Sequence, residues 1–481
     1  MLLRHENTDR MKIKVGLFGI GLDTYWPQFD GLLDKLRSYQ QLIGTRLSGY
    51  GVEVVDAGMI DDPKKSHDAL ALFSKNDVDL VFLYVSTYAL SSTVLPVARG
   101  LKTPLIVLNL QPASSIDYDA FNALGDRGKM TGLWLENCQA CAVPEIASVF
   151  KRVGLKFDLI TGHLEDPEAW IEIGHWLEAA KVSLAMKMNR LGLLGHYYGG
   201  MLDVYTDLTR ISGAFGTHFE MLEMCALKKI RDEVGSHDVD LKIAEFRSIF
   251  DVVPECDMTE LERAARTSVA MDELVRQHGL DSLACYYEGV PGNEYENIVT
   301  SMIPGNTLLT GKNIPVAGEY EVKNAHAMKI MSEFGGGGSF SEFYLVDFDD
   351  DVILLGHDGP AHFAMAGEKV KLVPLPVYHG KPGKGLSIQM SVKKGPVTLL
   401  SVVEGSDGIF LLVAEGESVE GPVLQIGNTN SRYRFPVPVR TFINDWSRQG
   451  PAHHCAIGTG HHAAKIEKLG LLLNMKVVKV C

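Results

Sequence analysis

Two glutamates and two histidine sites recur through the C-terminal part of this chain in an order that suits a divalent metal. Glu319 follows Gly318 directly after an apolar run, and Glu342 sits in Phe340-Ser341-Glu342-Phe343-Tyr344. His357 lies in Gly356-His357-Asp358, and a histidine pair stands in Pro451-Ala452-His453-His454. Carboxylate oxygen with imidazole nitrogen suits manganese, cobalt, iron or zinc better than calcium. Such an ion polarises a carbonyl while a nearby oxygen moves a proton.

Each member has a plainer role when read alone. Glu319, at a strand-to-helix junction, is placed where a helix dipole stabilises a carboxylate. Glu342 alternates with Phe340 and Tyr344 on one strand face, which is either solvent-facing or a site. His357 competes with His362, five residues on, for the third ligand position. Adjacent histidines on a strand point to opposite faces, so one of His453 and His454 serves as ligand.

Other motifs exclude other chemistries. Gly19-Ile20-Gly21 follows the first apolar run, but Thr24 stands where a dinucleotide fingerprint needs its third glycine. There is no Walker A sequence and no G-x-S-x-G elbow. Cys138-Gln139-Ala140-Cys141 has no second C-x-x-C partner, and it reads as two small residues of a helix over 130–146. Seven cysteines scattered over 481 residues suit reduced thiols rather than a disulfide framework.

The elements that position these residues fall into three stretches. Apolar runs at 80–85 and 104–109 suit parallel strands buried on both faces. With further strands at 13–20, 52–55 and 157–161 and helices between, residues 1–188 read as a doubly wound α/β domain. Residues 189–335 read as a second α/β domain carrying Glu319, with strands near 191–194, 219–224, 283–287 and 314–317. Four glycines, 335–338, read as a hinge, a ligand-approach loop or an interdomain turn. Beyond them, short closely spaced strands at 340–348, 352–355, 371–375, 387–392, 397–403, 409–413 and 433–438 make residues 336–481 an antiparallel β-barrel-like domain. This last domain carries Glu342, His357 and His454.

Composition bounds the partners. Hydrophobic residues make up 46% and charged residues 22%, ordinary for a globular chain, and the net charge is −14. That balance argues against a nucleic-acid partner and for a neutral rather than a phosphorylated substrate. No run is long and apolar enough to span a bilayer, and residues 1–14 lack a signal-peptide pattern, so a cytoplasmic location is expected.

Taken together, the chain resembles the L-arabinose isomerase family, through local matches in order along almost its whole length. Thr161-Gly162-His163, Ile173-Gly174-His175-Trp176, Ala317-Gly318-Glu319, Gly338-Ser339-Phe340-Ser341-Glu342, Leu355-Gly356-His357 and Pro451-Ala452-His453-His454 carry the likeness. The resemblance implies an aldose–ketose isomerase acting on a free sugar, L-arabinose or a related pentose or hexose. It implies metal ligation by Glu319, Glu342, His357 and His454, with the two glutamates as acid and base. Mn2+, Co2+ or another divalent ion would be the cofactor. Met201, after Gly199-Gly200, corresponds to a substrate-side methionine. Family members assemble as hexamers built from trimers, which implies a homo-oligomer here. The chain departs from the family where Gly21-Leu22-Asp23-Thr24-Tyr25-Trp26 replaces a Gln-containing loop and where Asp126 stands near an expected histidine. Tyr25 and Asp126 are thereby its own candidate substrate contacts. A non-catalytic sugar-binding or regulatory protein, and a metal-dependent hydrolase or lyase, are the alternatives on the same residues.

Overall fold

A computed structural model describes residues 12–376 and 383–481. Residues 1–11 of the stretch read for a signal peptide lie outside them. The chain divides into two compact units, Met1–Leu184 and Ala185–Cys481.

The first unit is a five-stranded sheet with strands β1 (Lys14–Ile20), β2 (Glu53–Ile60), β3 (Leu80–Val85), β4 (Leu105–Gln111) and β5 (Phe157–His163). Their order is β2-β1-β3-β4-β5 and every pairing is parallel. All six residues of β3, Leu-Val-Phe-Leu-Tyr-Val, are buried, as a central strand covered on both faces requires. The order reverses between β1 and β3, the place where such sheets open a crevice beyond the strand ends. The helix expected across 130–146 is two helices, Arg127–Glu136 and Gln139–Arg152. Cys138 is the residue before the second one, with a non-helical backbone, so the two cysteines are not both helix-interior residues.

The second unit begins with β6 (Arg190–Gly195), β7 (His218–Leu222), the two-residue β8 (Asp251–Val252), β9 (Ser282–Tyr286) and β10 (Val316–Ala317). A parallel sheet of order β10-β9-β6-β7 results, with β8 elsewhere. Then come β11 (Gly337–Asp347), β12 (Val352–His357), β13 (Lys371–Leu375), β14 (Gly385–Gln389), β15 (Gly395–Gly405), β16 (Gly408–Val419), β17 (Thr429–Arg434), β18 (His454–Thr459) and β19 (Lys476–Lys479).

Six of these close an antiparallel barrel, β15-β18-β11-β12-β17-β16, because β16 pairs back onto β15; β19 adds in parallel to β16. Its interior is a continuous apolar core that includes Ile353, Leu355, Leu399, Leu412, Tyr433 and Ile457. The strands at 371–375 and 387–392 were expected in the barrel. Instead β13 and β14 form a separate small sheet with β8.

The glycine run is not a free hinge. Gly338 has φ +102°, and a Cβ there would sit 2.5 Å from the Met328 carbonyl oxygen. Glycine therefore lets β11 start hard against the helix Val322–Glu333. Most of that helix is buried, so its polar side chains need partners inside the protein. Lys323 Nζ donates to the Asp203 carbonyl at 2.5 Å. His326 Nδ1 donates to the Val322 carbonyl at 2.8 Å, and its Nε2 accepts from the Thr217 hydroxyl at 2.8 Å.

Candidate metal centre

Three adjacent barrel strands, β18-β11-β12, carry the site. In their ladder Glu342 lies opposite His454 on one side and opposite Gly356 on the other. Gly356 has no room for a side chain, since a Cβ would stand 1.8 Å from the Thr429 carbonyl oxygen. Close packing of β12 on β17 thus fixes the next residue, His357, whose backbone N–H donates to Thr429 Oγ1 at 2.9 Å. The Phe340 ring lies 4.6 Å from the His357 ring and 4.2 Å from the His454 ring, so it holds both imidazoles.

Glu319 comes from the parallel sheet, two residues past β10. It and Tyr320 both have left-handed backbones, φ +53° and +61°. Two successive non-glycine residues there are strained, and such strain persists only where the surroundings impose it. The Tyr320 ring packs 4.9 Å from the Tyr197 ring, and its N–H donates to the Cys285 carbonyl at 3.3 Å.

Donor atoms of Glu319, His357 and His454 lie within 4.8 Å of one another, and so do those of Glu342, His453 and His454. His454 belongs to both groups, with its Nε2 3.6 Å from Glu319 Oε2. The residues fit a metal ion. His357 Nδ1 and His454 Nε2 are buried and have no hydrogen-bond partner, an expensive state for imidazole nitrogens that nothing ligates. His362 is in neither group; its backbone N–H faces Ser339 Oγ at 3.4 Å.

Both histidines of the pair turn to the acidic residues, which corrects the expectation of opposite faces. His453 precedes β18, so strand alternation does not apply to it, and the two rings lie 3.8 Å apart. His453 Nε2 is 3.7 Å from Glu319 Oε2 and 4.0 Å from Glu342 Oε2.

Two carboxylates that the sequence reading missed orient these rings. Glu321 Oε2 is 2.5 Å from His454 Nδ1, with both side chains buried. Burial pushes the Glu321 carboxyl up to about 8 and the His454 imidazole well below its ordinary range. Both groups thus favour their neutral forms; a cation at Nε2 would favour the ionised carboxylate, with the proton on Nδ1 and Nε2 left as a lone-pair donor. Asp203 Oδ2 is 2.6 Å from His453 Nδ1. Burial opposes charge on His453, but that hydrogen bond and the nearby Asp203, Glu319 and Glu321 outweigh it and raise its pKa. His357 is held well below its ordinary range by burial and by the two neighbouring imidazoles. Glu321 stood two residues from Glu319 in Gly-Glu-Tyr-Glu, and Asp203 two residues from Met201; each spacing was the available signal.

The cluster opens on a cavity of about 380 Å³. Glu319, Glu342, His357 and His453 form one part of its lining, and Met201 also lines it. Tyr25 and Asp126 belong to the first unit. Tyr25 packs its ring against Trp26 and Phe29, with centroids 6.4 Å and 6.2 Å away. Asp126 caps the helix Arg127–Glu136 by accepting from the Lys129 N–H at 2.9 Å. Among the described residues, no helix is long and apolar enough to cross a membrane.

No family model matches the chain. Curated relatives named L-arabinose isomerase do. The Nocardioides sp. protein is 24% identical over 425 residues, covering 83% of this chain and 80% of its own. The Klebsiella pneumoniae protein is 24% identical, covering 77% and 73%. The Salmonella choleraesuis protein is 24% identical, covering 74% and 71%. Among solved structures, the apo-structure of D-lactate dehydrogenase from Escherichia coli is 12% identical and covers 68% of this chain and 94% of that one, at a TM-score of 0.15 that carries no argument. The chain is thus a distant relative of proteins that bear the name L-arabinose isomerase.

Proposed function

We propose that this chain is a metal-dependent aldose–ketose isomerase acting on an unphosphorylated sugar. One observation carries the reading: unpartnered buried imidazole nitrogens of His357 and His454 converge with Glu319, and Glu319, Glu342 and His357 line a cavity. The relatives' name supports the same reaction class. No Lys or Arg is among the described residues that line the cavity, so a phosphate group would lack a cation partner there.

When bound, a divalent ion such as Mn2+ or Co2+ would supply Lewis acidity to the oxygens at C1 and C2 of the sugar. Glu319, Glu342, His357 and His454 would hold it. The chain's own part is the proton. One carboxylate takes it from C2 and returns it to C1, and a second acid–base group passes the hydroxyl proton from O2 to O1, which needs both groups within hydrogen-bond reach of C1 and C2. Glu319 and Glu342 are the pair for this task. His453, fixed by Asp203 and facing both glutamates, supports charge changes on them.

The test is a panel of aldopentoses and aldohexoses incubated with EDTA-stripped protein, with and without Mn2+, and scored for ketose. Metal-dependent ketose formation is expected, with deuterium from D2O entering at C1. Glu319→Gln and Glu342→Gln should each lower kcat by at least about 100-fold with an unchanged circular dichroism spectrum. Absence of ketose from every sugar refutes the proposal.

A further inference from the structure

One wall of the cavity is chemically unlike the metal end. Leu194, Met224, Val299, Met302 and Ile303 make it apolar. A single amide interrupts this surface: Asn306, on the helix Ile303–Gly311, also lines the cavity and is 4% exposed. Its Nδ2 reaches only Cys285 Sγ, at 3.7 Å, and sulfur is a weak acceptor. Its Oδ1 has no hydrogen-bond partner in the protein. The side chain does not serve the helix, whose backbone bond from Asn306 N–H to the Met302 carbonyl is an ordinary 2.9 Å.

A buried amide left unsatisfied among apolar neighbours destabilises the fold, and leucine of similar size would fill the same place without that cost. Native structures retain such groups where a ligand completes them. The cavity beside this one is the candidate substrate site. A neutral amide matches a neutral hydroxyl, which can both donate to Oδ1 and accept from Nδ2.

We propose that Asn306 is a specificity-determining residue that hydrogen-bonds one hydroxyl of the bound sugar beyond C1 and C2, within a wall otherwise built for its C–H faces. This rests on the isomerase reading above. A site built around such a hydrogen bond rejects an analogue lacking that hydroxyl far more strongly than an apolar pocket rejects an extra group.

The experiment takes the best aldose from the panel and its monodeoxy analogues at each carbon beyond C2, all with Mn2+, on wild type and Asn306→Leu. Wild type is expected to prefer the parent sugar over one particular analogue by about 100-fold or more in kcat/KM. In Asn306→Leu that preference should shrink to about threefold or less. Preferences over the other analogues should stay in place, and the melting temperature should hold or rise. Asn306→Ala gives the same readout if the leucine variant does not fold. A structural role would lower activity on all the sugars alike, and that result, or unchanged ratios throughout, overturns the inference while the isomerase reading stands. If wild type converts no sugar at all, the isomerase reading fails and this inference falls with it.

Discussion

Replacing Glu321 by glutamine isolates what a carboxylate behind a ligand contributes. The side chain is 1% exposed, its partner His454 is fully buried, and 2.5 Å separates Oε2 from Nδ1. Glutamine keeps the shape and an acceptor oxygen but cannot take on the negative charge that would raise the basicity of the ring once a cation binds. Such orienting partners are worth about 10- to 100-fold in metal affinity, or roughly 1.4–2.7 kcal/mol. The pair lies in a desolvated place where charge is weakly screened, so the upper half of that range applies and about 30- to 100-fold weaker Mn2+ binding is expected. Calorimetric titration of EDTA-stripped protein, with chelator competition as a second route, measures it. Metal-free Glu321→Gln should melt no lower than wild type, because a buried group that burial already drives towards its neutral form is replaced by a neutral amide of the same shape. A dissociation constant within about threefold of wild type, alongside a large loss in His454→Ala, would refute the orienting role.

Three other outcomes follow from the same geometry. His454 supplies a donor atom to both ligand groups, so His454→Ala should weaken Mn2+ binding at least about tenfold more than His453→Ala; equal losses in a titration would break this assignment. Gly338→Ala combines φ +102° with a Cβ 2.5 Å from a carbonyl oxygen, so urea denaturation should show a loss of more than about 2 kcal/mol, and a near-neutral result would contradict the close approach of β11 to the helix. Burial lowers His326 from its ordinary 6.5 to about 4, so the folded protein excludes a proton that the unfolded chain takes up below about pH 6.5. Its stabilising contribution is therefore complete above that pH and is lost as the pH falls towards 4. His326→Gln should remove about 2 kcal/mol of the stability drop between about pH 7 and pH 5, read from paired urea melts, and identical drops would show that the ring does not titrate in this way.

Local pattern reached far in this chain. The unbroken apolar run of Leu80–Val85 announced a central parallel strand, and the alternation around Glu342 put Phe340 and the carboxylate on one face. Residue type and order suggested Glu319, Glu342, His357 or His362 and one histidine of the 453–454 pair as a ligand set, and the family resemblance is what selected His357 and His454 among them. What pattern could not reach is what depends on long separation. Glu321 meets His454 across 133 residues and Asp203 meets His453 across 250, and neither carboxylate differs in type from the many on the surface. The small sheet that takes β13 and β14 out of the barrel rests on two paired residues of β8, too few to show any alternation. The left-handed turn at Glu319-Tyr320 contains no glycine or asparagine to announce it. The side to which His453 faces was misread because the strand begins one residue later than the motif.

The closed barrel has a consequence for redesign. Of the proposed ligands, Glu342, His357 and His454 are fixed posts, each held in ladder pairing with strands that have no loose edge. Glu319 is the one post on a swivel, set by two unusual dihedral angles rather than by a ladder. Attempts to alter which cation the proposed site prefers should therefore start in the short segment 316–322. There a change of backbone angle moves a single ligand, whereas the same change in the barrel would drag neighbouring strands with it.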